Sequence, residues 1–301
     1  MAISHPDKAM FPECGVTKRD IAEYYAFIAP RILPYVEGRP LSLVRCPDGW
    51  GGTCFFQKHA DPGVNAAVDR IEAPESKGTA TYLTASSAKA LVALAQWGVL
   101  ELHPWGSKRP RLDRPDRLIL DLDPAEDVDG SALEEAVLLV KELIDGLGLT
   151  GFLKTTGGKG MHVVVPIRPT LSWEQAKGLT RAIAEFLVRG FPARFVATAD
   201  KDVRRGKIFI DYLRNAQGST AVAPYSVRAR KSAPIAMAIG WNELGRDVRF
   251  DHWNVRNIRS RLARRDDPWA EFAATRQQVS AATARRVDYD LEPATPRRKR
   301  A

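Results

Sequence analysis

The sequence predicts an α+β fold with a largely antiparallel central sheet flanked by helices. Three observations carry this. Helical and strand-like segments interleave irregularly, without the steady strand–helix alternation of a doubly wound nucleotide fold. The helical segments open on capping residues, and the runs between them are short and apolar. The chain has 301 residues and is 45% hydrophobic, enough to bury the core of one large domain or two closely packed lobes.

The first helix is expected over 17–33. Thr17 with Asp20 three residues on resembles a capping box, and Ile21, Tyr24, Tyr25 and Ile28 follow at helical spacing. LSLVR (41–45) and CFFQK (54–58) read as strands. Ser87 to Trp97 is a second helix, stopped by Gly98. RLILDLD (117–123) is a strand closed by Pro124. Ser131, with Glu134 at its third position, opens a third helix that carries Val137, Leu138, Val140 and Leu143 before Gly146. GFLKTT (151–156) and MHVVVPI (161–167) are strands. Ser172 with Gln175 opens a fourth helix that runs to Arg189 and Gly190. KIFIDYL (207–213) and YSVRAR (225–230) complete the strands, and Asp266 or Asp267 with Pro268 behind it suggests a fifth helix. Residues 1–292 form the folded part. The tail PATPRRKRA (293–301) is too polar to pack and reads as a basic disordered segment.

Bulk composition narrows the function. Forty-five Lys and Arg against 36 Asp and Glu give a net charge of +9, which suits a polyanionic partner and equally describes an Arg-rich soluble protein. No apolar run approaches the length of a membrane span. The start MAISHPDKAM lacks the charged and apolar regions of a signal peptide, so a cytoplasmic location is expected. Cys14, Cys46 and Cys54 are odd in number and contain no C-x-x-C pair, so three reduced thiols are expected rather than a disulfide or a zinc site.

RLILDLDP is the sharpest local feature. Side chains alternate along a strand, so Asp121 and Asp123 share one face while Leu120 and Leu122 pack behind. Paired carboxylates repel one another unless a cation stands between them, and oxygen ligands suit Mg²⁺ or Mn²⁺. Asp211 appears on a second strand, facing away from Ile208 and Ile210. Three such acids can hold two ions of the kind that activate a 3′-hydroxyl and stabilise a triphosphate. A solvated strand end explains a bare D-x-D just as well, so the neighbours must decide.

Those neighbours are basic. KTTGGKGMH (154–162) joins two strands through a glycine-rich turn that departs from a Walker A loop, since Gly160 replaces the Ser or Thr after the lysine and a strand follows. Such a turn offers backbone N–H groups to an anion, with Lys159 as a point charge and His162 just beyond; a plain hairpin has the same sequence. Arg228 and Arg230 fall on one face of the YSVRAR strand, placed to clamp a triphosphate. Arg204, Arg205, Lys207 and Arg214 flank the Asp211 strand. Phe55 and Phe56 must face opposite ways on a strand. Either one enters the core and the other is left beside Lys58 and His59 to stack on a base, or both are buried.

Taken in order, SHPDKAMFP, TKRDIAEYY, GRPLSLVRCP, FFQKH, ELHPWGS, RPDRLILDLDP, TTGGKGMHVVVP, KIFIDYLRN and APYSVRAR resemble the polymerase domain of bacterial ligase D, the end-joining enzyme that works with Ku, in the archaeo-eukaryotic primase superfamily. The resemblance covers most of the chain, up to about residue 260. It implies an archaeo-eukaryotic primase-like catalytic fold and template-dependent addition of nucleotides, often ribonucleotides with Mn²⁺, at DNA ends and gaps bearing a 5′-phosphate. It makes Asp121, Asp123 and Asp211 the catalytic acids that bind two Mn²⁺ or Mg²⁺ ions. It sets His103, Thr156, Lys159, Arg204 and Arg214 around the NTP or dNTP, with His162, Arg228 and Arg45 as further contacts. It assigns Lys8 and Lys18 to the 5′-phosphate, and Phe55 and Phe56 to the template strand. Ku and the ligase and phosphoesterase domains of the same system are the implied partners; no membrane is. The chain carries no ligase adenylation motif. A primase that initiates without a primer, or a DNA-end-binding module without catalysis, are the competing readings; the paired lysines have no purpose in the first, nor the three acids in the second.

Overall fold

The computed structural model describes residues 2–200, 202–245 and 251–292. The basic tail therefore lies outside the described residues. A short antiparallel ribbon, β1 (Ala9–Phe11) and β2 (Val16–Thr17), leads into α1 (Lys18–Val36). Thr17 and Asp20 close the expected capping box, with Asp20 accepting from the Thr17 amide at 2.7 Å. The helix runs three residues past its expected end, through Pro30 and Pro34. Next come β3 (Leu41–Arg45), β4 (Phe55–Gln57), β5 (Asp69–Glu75), β6 (Gly78–Thr84), α2 (Ala88–Gln96) and β7 (Val99–Pro104). These five strands form one antiparallel sheet in which β3 is paired by β4, β6 and β7. The β5–β6 hairpin and β7 were not expected from sequence; β5 is half exposed and carries charge throughout, so it lacks an apolar run.

The second half holds β8 (Arg117–Pro124), α3 (Gly130–Gly146), β9 (Phe152–Thr155), β10 (Met161–Pro166), α4 (Trp173–Gly190), β11 (Phe195–Val196), β12 (Ile208–Asp211), β13 (Ala238–Ile239), α5 (Ile258–Leu262) and α6 (Ala281–Arg285). Its six strands lie in the order β11-β12-β8-β10-β9-β13, antiparallel except for the β11–β12 pair. One apolar core runs continuously from α1 through both sheets to α3 and α4. This is the predicted α+β class. Among the described residues no helix is long and apolar enough to cross a membrane.

Four local expectations fail. Helix α3 is capped by Asp129, whose carboxylate accepts from the Ala132 amide at 2.8 Å, two residues before the expected Ser131; the Ser131 hydroxyl is itself drawn to Asp129. No helix starts at Asp266 or Asp267: Asp267 accepts from the Trp269 amide and the Tyr225 hydroxyl, and Trp269 and Phe272 stack within the core with centroids 4.8 Å apart. That aromatic anchoring fixes a string of turns. YSVRAR is not a strand either. Tyr225 sits at a φ of +67°, only Val227 makes a bridge, to Ile235, and the Ser226 hydroxyl accepts from the Leu102 amide. Finally, Cys46 and Cys54 are disulfide-bonded, leaving Cys14 free. The β3–β4 hairpin brings its two loop ends together, with Cα atoms 4.3 Å apart, a proximity that spacing rules cannot see.

Candidate active site

The two acidic strands are neighbours, and their register sets the site. Asp211 of β12 stands directly opposite Asp121 of β8, and Phe209 opposite Asp123. Leu120, Leu122, Ile208 and Ile210 pack in the core behind them. The three carboxylates therefore rise from one face; Asp121 and Asp123 line a cleft of about 460 Å³, and Asp211 meets it through Arg214, which also lines it. On the other side of β8, β10 places His162 opposite Asp121.

The rim comes from five places. His103 enters from β7; Thr156, Lys159 and Gly160 come from the β9–β10 turn; Arg204 precedes β12 and Arg214 follows it; Arg228 and Arg230 complete the rim. The turn closes through the Thr156 amide and hydroxyl, both donating to the Gly160 carbonyl at 3.0 Å. Gly160 is required by contact: a Cβ there would lie 2.7 Å from the Leu122 carbonyl oxygen and 3.2 Å from Asp123 Oδ1. Gly157 has a φ of +67°, and a Cβ would meet Arg228 Cγ at 2.8 Å. The turn thus sits flush against both the acid strand and the arginine segment.

The electrostatics of the floor are those of crowded, partly buried charge. Burial works to raise the pKa of Asp121, but the His162 N–H and the Arg214 guanidinium outweigh it and hold the group ionised. Asp123 is pushed up to about 6 by burial and by the Asp121 charge. Asp211 is raised by burial against the pull of Arg214. Arg214 Nε lies 3.0 Å from Asp121 Oδ2 and 3.2 Å from Asp211 Oδ2. Oδ1 of Asp121 is buried without an aligned hydrogen-bond donor, although His162 Nε2 lies 3.1 Å away. Lys154 Nζ, buried and brought down to about 7 by burial and by Arg228, is 3.4 Å from His162 Nδ1. A lysine donating to Nδ1 leaves the imidazole proton on Nε2, facing Asp121.

Sequence reasoning missed Glu101. Its buried carboxylate accepts from His103 Nε2 at 2.7 Å, Arg228 Nε at 2.9 Å and the Ala229 amide at 2.7 Å. Burial would raise its pKa, yet His103, Arg228 and that amide bring it down to about 2. One acid thus fixes two rim side chains, the His103 imidazole and the Arg228 guanidinium, that lie far apart in the chain. Its only sequence signal is a Glu at the second position before a rim His on a strand, which alternation places on the same face.

Two expectations do not hold. Arg45 is outside the cleft: its guanidinium stacks on Trp97 at 3.5 Å and donates to the Trp97 carbonyl and to Gln57. Phe55 and Phe56 do face opposite ways, yet neither enters a core; they are 41% and 66% exposed. Their strand is a three-residue sheet edge, with solvent on both faces. Phe56 sits with its ring 5.7 Å from that of His103, which puts an exposed aromatic at the cleft mouth. Lys8 and Lys18 lie apart from the cleft but beside each other, the Lys18 amide donating to the Lys8 carbonyl at 2.9 Å. Burial, then the Lys8 charge, lowers the Lys18 pKa, while Lys8 pairs with exposed Asp48 at 2.8 Å.

The family model for the LigD primase-polymerase domain matches residues 17–269. The chain belongs to that family. It is 42% identical over 287 residues to the multifunctional non-homologous end joining protein LigD of Pseudomonas aeruginosa, covering 95% of this chain and 34% of that protein. It is 33% identical over 275 residues to the Mycobacterium tuberculosis LigD, covering 89% of this chain and 36% of the relative. The chain thus spans about a third of these relatives. The solved polymerase domain from Mycobacterium tuberculosis ligase D in complex with DNA superposes with a TM-score of 0.85 at 32% identity, covering 91% of this chain and 98% of that one. The LigD primase-polymerase domain is a nucleotidyltransferase of DNA end joining, and polymerase folds of this type generally use divalent metal ions.

Proposed function

We propose that residues 1–292 act as one primase-polymerase unit. It adds nucleotides, with template guidance, to a primer 3′-hydroxyl at ends and gaps during double-strand-break repair. The observation that carries this reading is that Asp121, Asp123 and Asp211 share one face of the β8–β12 pair, beside a cleft rimmed by cations. A module that only bound ends would gain nothing from burying three carboxylates together, since burial and mutual repulsion both cost stability.

The donor set fits divalent cations. An aligned donor is missing at Asp121 Oδ1, and two carboxylates carry raised pKa values. Among the described residues no three His, Cys, Asp or Glu side chains already stand in metal-ligating arrangement; the half-exposed Arg214 side chain pairs with both Asp121 and Asp211. Its length would let it reach a triphosphate instead. When bound, two Mn²⁺ or Mg²⁺ ions supply activation of the 3′-hydroxyl and neutralisation of the triphosphate. Asp121, Asp123 and Asp211 would hold them, and the His162 N–H would orient Asp121 from the neighbouring strand.

The protein's other groups bind and orient the nucleotide. His103, Thr156, Lys159, Arg204 and Arg228 surround the NTP or dNTP, with Arg214 beside them; Arg guanidinium groups suit bidentate contact with phosphate oxygens. The exposed Phe55 and Phe56 stack on template bases. The adjacent ammonium groups of Lys8 and Lys18 take the 5′-phosphate across a gap. Ku and the ligase and phosphoesterase activities of an end-joining system are the expected partners, at the nucleoid in the cytoplasm.

Extension of a short gapped duplex, with and without a 5′-phosphate and with rNTPs or dNTPs in Mn²⁺ or Mg²⁺, tests the reading. Addition of one or a few nucleotides, stimulated by the phosphate, is expected; end binding without addition in either metal overturns it. Converting Lys8 and Lys18 together to alanine should erase the preference for phosphorylated gaps and leave extension of unphosphorylated ones unchanged. A preference that survives puts the phosphate pocket elsewhere.

A further inference from the structure

A second cleft, of about 740 Å³, opens on a different part of the molecule, between the C-terminal half of α1, the segment 108–117, the end of β10 and the turns at 267–276. Eight arginines and Lys108 line it with two acids, Asp116 and Asp267, while Glu37 and Asp113 outside the lining pair with Lys108, Arg111 and Arg114. Asp116 accepts from Arg39 and Arg117 together. Arg39 is 3% exposed, and its Nε has no hydrogen-bond partner. Among the described residues Arg109, Arg168 and Arg276 have no carboxylate within ion-pair distance, and all three are exposed at the cleft. Like charges held this close repel one another and are retained at a cost in stability, which an anionic ligand removes.

We propose that this cleft binds the sugar–phosphate backbone of single-stranded nucleic acid, as a second DNA contact separate from the catalytic cleft. Arg117 begins β8 and Asp121 lies four residues along it, about 13 Å at the rise of an extended strand, so the two clefts sit toward opposite ends of one element. Arg39 and Arg117, 3% and 6% exposed, are held on Asp116, so the contacts fall to the exposed Arg109, Arg168 and Arg276, which a flexible single strand can follow along a charged groove. Arginine forks suit phosphate oxygens. The aromatic lining residues Tyr35, Trp269 and Phe272 are buried, so no aromatic is exposed to anchor a protein partner, and backbone binding needs none. The chain's +9 net charge and its family's work on DNA point the same way. The inference does not depend on the catalytic reading.

The test is the Arg109→Ala, Arg168→Ala, Arg276→Ala triple variant of the full chain. Binding is followed by fluorescence anisotropy on a duplex with a single-stranded tail and on the same duplex made blunt, from about 50 to 200 mM salt. Losing three phosphate contacts should lower the slope of log affinity against log salt by about 2 on the tailed duplex, and weaken binding at low salt on the order of tenfold. The blunt duplex should be unaffected, as should nucleotide addition at saturating gapped DNA. An unchanged slope on the tail overturns the proposal, and so does an equal loss on both duplexes. Unchanged DNA binding with lost binding of a poly-glutamate peptide overturns it in favour of an acidic protein partner. If the wild type adds no nucleotides but the triple variant shows the tail-specific loss, the catalytic reading is rejected and this one stands.

Discussion

Asp211→Ala is expected to lower nucleotide addition on a gapped duplex by on the order of 10³-fold or more, because divalent ions supply several kcal/mol to such transfers and each 1.36 kcal/mol is a factor of ten. The carboxylate faces Asp121 across the β8–β12 pair, so the substitution removes one of the three acids that would hold the ions. Folding should not suffer. Burial already raises the Asp211 pKa, and deleting a buried acid beside another removes repulsion. Arg214 keeps Asp121 as a partner at 3.0 Å, so no cation is orphaned. DNA affinity, carried by cations elsewhere, should stay within about twofold. A second readout is independent of turnover. Mn²⁺ at about 100 times its dissociation constant stabilises a protein by about 2.7 kcal/mol, visible as a rise in melting temperature that Asp211→Ala should largely abolish. Wild-type addition by the variant, or an undiminished Mn²⁺ shift, would sink the assignment of this acid.

Much of this site was legible because strand alternation is a strict rule. The D-x-D pair fell on one face as expected, and its partner strand was visible from KIFID. The glycine turn was also readable, since both flanking runs were apolar. What sequence could not give is pairing between distant segments. Arg45 lost its place because Trp97, 52 residues away in sequence, offers its guanidinium a nearer aromatic face. YSVRAR has strand composition, yet the left-handed Tyr225 and its ties to Asp267 and Tyr24 bend it into turns. The Cys46–Cys54 bond follows from hairpin closure, and the exposure of both Phe55 and Phe56 from a strand too short to have an inner face. The whole β5–β6 hairpin was invisible for the opposite reason: its solvated charges hide the period that marks a strand.

Glu101 shows what that blindness conceals, and its removal is the second large effect expected. Glu101→Ala leaves the Arg228 guanidinium, the His103 ring and the Ala229 amide without their shared acceptor. Breaking a buried ion pair from one side costs about 3–5 kcal/mol, so this variant should melt far below wild type. Glu101→Gln is the informative partner, since it keeps the shape and an acceptor while dropping the charge. If Glu101 positions the rim, the Gln variant should show a KM for the nucleotide raised on the order of tenfold with kcat little changed, because Arg228 and His103 lose their fixed geometry toward the triphosphate. The acid dependence has a definite sign. Folding brings the Glu101 pKa from 4.5 down to about 2, so its ionised form stabilises the fold fully above pH 4.5, by about 3 kcal/mol at 1.36 kcal/mol per unit. That contribution is lost as pH falls through the window from 4.5 to 2. Wild type should therefore exceed Glu101→Gln in urea stability at pH 7, and the two should converge as pH approaches 2. A constant difference across that range, or a kcat loss without a KM change, would mean that the charge of Glu101 does not hold the rim.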